Sequence, residues 1–96
     1  MSVIVVGMLK MHDPSWTAEY GPRQAELVEK HHGQYLIAPG KVETLEGSSQ
    51  APDLIIVIEF PDRQHAMDWY ADPEQASLVE LRQAGSDTDL FVINAK

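Results

Sequence analysis

Two β-branched runs that stay apolar at both odd and even positions, two Asp-Pro pairs placed as helix starts, and a polar turn before the second run predict an α+β fold of order βαββαβ. In this ferredoxin-like arrangement two helices pack on one face of a four-stranded antiparallel sheet, with the first and third strands at its centre. A length of 96 residues suffices for one core and not for two, so a single domain over residues 1–96 is expected.

The first strand is Val3 to Met11, which keeps apolar side chains on both faces through Met8. Asp13 and Pro14 then supply an N-cap and a first-turn proline. Trp16, Tyr20, Gln24, Leu27 and His31 follow at helical spacing, and Gly33 is expected to end that helix. Pro22 removes one helical hydrogen bond, and with Gly21 before it a kink is expected rather than a stop.

Gln34 to Ala38 and Lys41 to Leu45 read as one edge strand bulged at Pro39-Gly40, because proline is confined to edges and irregularities of a sheet. The polar turn Gly47 to Pro52 leads into the third strand, Leu54 to Phe60. Asp62 caps the second helix, with Ala66, Met67 and Tyr70 on one face, and Asp72-Pro73 restarts it. Leu78, Val79 and Leu81 give the restarted segment its apolar stripe, Gly85 and Ser86 end it, and Asp89 to Asn94 is the last strand.

The two central strands lose their polar alternation, yet a lone sheet with helices on one side would leave its other face in water. Fully covering each Val or Ile is worth about 1.5 to 3 kcal/mol. A homodimer closed through the sheet face is therefore expected.

Seven basic against fifteen acidic residues give a formal charge of −8, which repels a phosphate backbone and argues against nucleic acid as a partner. The absence of cysteine excludes disulfides, thiolate metal sites and a thiol nucleophile, and suits a reducing compartment. The apolar run Val3 to Leu9 is too short for a membrane span and has no basic residue before it, so no membrane association and a cytoplasmic location are expected.

Glu59 ends the third strand on the side of Ile55 and Val57, where it is either a desolvated acid–base group or a strand-end carboxylate paired with a neighbour. His31 shares a helix face with Trp16, Tyr20 and Leu27, as a second candidate for proton transfer or as a satisfied core histidine. Adjacent His31 and His32 lack the four-residue spacing with which two imidazoles hold one metal, so no metal site and no cofactor are expected. Trp16, Tyr20, Trp69 and Tyr70 lie on helices that should be neighbours, as core and as the lining of a ligand cavity. Arg82, late in the second helix, suits the helix dipole and is the candidate for meeting an anionic ligand. No Gly-rich phosphate loop, serine elbow or paired-carboxylate motif is present.

Taken together, His32-Gly33, Leu45-Glu46-Gly47, Glu59-Phe60-Pro61 and Trp69-Tyr70 resemble the motifs of a family of small uncharacterised bacterial proteins in the dimeric α/β-barrel superfamily. Ala38-Pro39-Gly40 stands where that family often has Arg-Gly-Gly, and Asp72-Pro73-Glu74-Gln75 where it usually has Ser-Pro-Glu-Tyr. The resemblance implies two sheets facing each other as a barrel with helices outside, and supplies no reaction. Two functions stay open: a small-molecule-binding homodimer with cofactor-free acid–base activity of isomerase or oxygenase kind, and a non-catalytic structural or stress-associated binding dimer.

Overall fold

The computed structural model describes residues 2–48 and 50–94, with residues 38–40 described by their backbone alone. Its elements are β1 (Val3–Met11), a 3-10 turn (Pro14–Trp16), α1 (Thr17–Lys30), β2 (Gln34–Lys41), β3 (Leu54–Phe60), α2 (Arg63–Ala71), α3 (Gln75–Gly85) and β4 (Ser86–Asn94). All strand pairs are antiparallel in the order β2-β3-β1-β4, so the two apolar runs are central and the expected βαββαβ order holds.

The helix starts follow from local chemistry. The carboxylate of Asp13 accepts from the Ser15 backbone N–H at 2.9 Å and that of Asp62 from the His65 N–H at 2.8 Å, satisfying donors that a helix start leaves free. Asp72 accepts from the Glu74 N–H at 2.9 Å and so turns the chain from α2 into α3. Helix α1 runs continuously through Pro22. Gly21 helps it to do so, because a residue before proline is pushed out of helical geometry partly by its Cβ, which glycine lacks.

The end of α1 differs from the expectation. His32, not Gly33, adopts the left-handed conformation, with φ of 64°. The Gly33 N–H donates to the Val28 carbonyl at 2.8 Å and the His32 N–H to that of Glu29 at 3.0 Å, the two bonds of a Schellman cap. Gly33 is required one place later for close approach, since a Cβ there would stand 2.6 Å from Phe60 Cε1 and 2.8 Å from Val28 Cγ1. His32→Gly is therefore expected to stabilise the fold by about 0.5–1 kcal/mol, because a non-glycine residue is strained at positive φ. A urea midpoint that rises at unchanged slope checks this, and a fall would sink it.

Two strand boundaries also need correction. The edge strand shifts register between Tyr35 and Ile37 and again before Gly40, as the bulge required, but it ends at Lys41 rather than Leu45. Lys41 pairs with Leu54, the first residue of β3, so beyond it the strand has no partner, and Leu45 is exposed. The last strand begins at Ser86, three residues earlier than its apolar run, because Ser86, Asp87 and Thr88 pair with Met11, Lys10 and Leu9.

The core lies between the sheet and the helices, where Val3, Val5, Ile56, Ile58 and Phe60 meet Leu27, Val28, Ala66, Trp69 and Leu78. The opposite face presents Ile4, Val6 and Met8 of β1 beside Ile55 and Val57 of β3. Ile37, Phe91 and Ile93 extend that apolar face onto the two edge strands, each about half exposed.

Candidate functional site

Helices α1 and α3 leave a cavity of about 620 Å³ over one end of the sheet. Its floor is Leu9, Leu54, Ile56 and Leu90, and its walls are Trp16, Tyr20, Tyr35, Trp69 and Arg82. Tyr70 is half exposed and lines instead an adjoining space of about 350 Å³, which shares Trp69, Arg82, Thr88 and Leu90 with the first.

A buried polar network fixes the aromatic walls. Gln24 accepts from Trp69 Nε1 at 2.9 Å and donates to Gln75 Oε1 at 2.7 Å and to the Tyr20 hydroxyl at 3.1 Å. Gln75 in turn donates to the Trp69 carbonyl at 3.1 Å. The Trp16 and Tyr20 rings meet edge to face at 4.8 Å between centroids, and Trp69 packs on Phe60 at 5.3 Å. Arg82, 4% exposed, donates from Nη1 to the Tyr20 hydroxyl at 2.9 Å.

Four of the five residues expected to line a ligand site, Trp16, Tyr20, Trp69 and Arg82, thus share one cavity, with Tyr70 beside it. Tyr35 joins them from β2, and its phenol is pushed up to about 12 by burial and then by the nearby Tyr20. It went unnoticed because an edge strand interrupted by a bulge gives little periodicity, although its position opposite Ile58 turns it toward the helices. Gln24 carried a usable signal, a long polar side chain in the middle of an apolar helix face.

The two residues expected to transfer protons are not brought together. Glu59 pairs in register with Ile4 and Gln34 on the sheet face away from the helices. His31 lies on the helix side, where its imidazole and Lys30 donate to one oxygen of the buried Asp72 at 2.7 and 2.9 Å. These bonds, His31 first and Lys30 second, hold the Asp72 carboxyl well below the usual carboxylate range. Neither Glu59 nor His31 lines the cavity. Among the described residues no cluster of His, Asp and Glu is arranged to hold a metal ion, and no helix is long and apolar enough to cross a membrane.

Strand order, helix placement and the cavity between them define an α+β protein of the ferredoxin-like class. The chain belongs to the family described as a domain of unknown function, DUF1330, which matches residues 2–95. Solved structures agree on the fold. A Rhodopseudomonas palustris protein of unknown function superposes with a TM-score of 0.82 at 18% identity, over 99% of this chain and 82% of that one. A dimeric ferredoxin-like protein of unknown function from Jannaschia gives 0.80 at 11% identity, over 99% and 100%. The cofactor-independent oxygenase SnoaB of Streptomyces nogalater gives 0.70 at 12% identity, over 99% and 93%. No curated protein matches the chain.

Proposed function

We propose that the chain is a small-molecule-binding protein that works as a homodimer, with one ligand cavity between helices and sheet in each subunit. The observation that carries the reading is the cavity itself. Its volume of about 620 Å³ falls within the range of small-ligand sites, and its lining is apolar and aromatic apart from a few polar side chains. The cavity opens to solvent past the exposed residues Thr17, Gly21 and Ala25, which gives a small molecule a way in. Acid–base catalysis by Glu59 and His31 draws no support from this geometry, as the sheet separates them and Asp72 already engages the imidazole.

Dimerisation through the open sheet face is supported by the apolar continuity of Ile4, Val6, Met8, Ile55, Val57, Phe91 and Ile93 across three strands. It is supported also by the dimeric state of the Jannaschia protein, which shares the fold.

The binding reading is tested with the neutral fluorophore N-phenyl-1-naphthylamine. The wild-type chain is expected to bind it, and Ala25→Phe to weaken that binding at least tenfold. Ala25 is an exposed helix residue on the cavity wall, so a ring there blocks the space with little cost to folding. No binding by the wild type, or undiminished binding by the variant, would overturn the assignment.

A further inference from the structure

The cavity is lopsided in its polar chemistry. Arg82 is almost wholly buried, yet among the described residues it takes part in no ion pair. Among the described residues its guanidinium has a single hydrogen-bond partner, the Tyr20 hydroxyl, and its Nε, a donor, has none, while its backbone carbonyl accepts from Ser86 Oγ. Trp16 Nε1, the other buried side-chain polar atom without a partner among the described residues, packs against the Gly85 backbone rather than facing the cavity. Tyr20 adds a second donor, because its oxygen already accepts from Arg82 and Gln24 and leaves its O–H with no acceptor among the described residues.

A site so built holds one buried positive charge with no counter-ion among the described residues, beside a hydroxyl whose O–H has no acceptor there. Burying a charge without a counter-ion is costly, and removing water strengthens whatever opposite charge does arrive. The chain does not attract anions at long range, since its formal charge is −8. Preference for an anion would therefore arise inside the cavity rather than by steering. We propose that the ligand is a small apolar monoanion, a carboxylate or its chemical equivalent, whose charged head lies against Arg82 and Tyr20 while its apolar body fills the space over Leu9, Ile56 and Leu90. The inference rests on the cavity being a ligand site. One charge is specified because Arg82 is the one cation of the lining, and the floor offers a second charge no partner.

The test displaces bound N-phenyl-1-naphthylamine from the wild-type chain with 1-naphthoate and with 1-naphthamide, which share a shape and differ in charge. The naphthoate is expected to displace at a concentration at least tenfold lower, and Arg82→Gln to reduce that preference to less than twofold, each acid-to-amide ratio being read against the fluorophore's own affinity for the same variant. Equal displacement by acid and amide in the wild type overturns the anion proposal and leaves the cavity reading standing. A preference that survives Arg82→Gln overturns the role of Arg82. If the wild type binds no fluorophore, both readings fall together. Should Arg82→Gln not fold, the wild-type comparison decides alone.

Discussion

If the proposed dimer forms, Val6→Asp is expected to leave a folded monomer of 10.7 kDa in place of a wild-type species of twice that mass. Val6 lies at the centre of β1 on the face away from the helices, directly opposite Val57 on one side and Phe91 on the other. In a dimer closed through this face, each subunit would bury one new carboxylate among apolar side chains with no cation to meet it. An unpaired buried charge costs several kcal/mol, and each 1.4 kcal/mol is tenfold in affinity, so dissociation should rise by about three orders of magnitude or more. Within one subunit the same residue faces water, and the penalty is the weaker strand preference of Asp, at most about 1 kcal/mol. Native mass spectrometry at micromolar concentration, with circular dichroism as the folding control, separates the two effects. A dimer that survives the substitution would place the interface elsewhere, and a monomeric wild type would remove the assembly altogether.

The same face shows where sequence reasoning reached its limit. Alternation along Leu54 to Phe60 placed Glu59 with Ile55 and Val57, and the structure keeps that grouping. What alternation could not give is which side the helices cover, because a strand apolar on both faces carries no sign of its orientation. The aromatic site was more legible. Trp16, Tyr20 and Trp69 recur on inward helix faces, and once both helices pack on one side of the sheet those faces converge. The Asp72 tie to Lys30 and His31 was hidden by distance in sequence, more than forty residues, and an Asp-Pro pair already had a local explanation as a cap. The left-handed His32 was hidden for a related reason: Gly33 fitted the usual helix stop, whereas its real constraint is the ring of Phe60 against its Cα.

Gly85 is a second glycine whose role is close approach, and substituting it should have the largest effect on the cavity wall. It ends α3, and its carbonyl accepts from the His12 and Asp13 N–H groups at 2.9 and 3.0 Å. An added Cβ would stand 2.0 Å from Trp16 Cδ1, 2.4 Å from its Nε1 and 2.7 Å from the Asp13 carbonyl oxygen. Gly85→Ala gains at most about 1 kcal/mol of helix preference, against overpacking that typically costs 1–3 kcal/mol and here acts partly on backbone. The expected result is a net loss of about 2 kcal/mol, read as a lower urea midpoint. The displaced Trp16 ring should also change the intrinsic fluorescence and weaken N-phenyl-1-naphthylamine binding. In a Trp16→Leu background the same glycine substitution should cost less, because the indole is gone and only the Asp13 oxygen still obstructs. Additive losses in that double-mutant cycle would show that Gly85 acts through the Asp13 backbone alone, and a stabilising Gly85→Ala would refute the close approach itself.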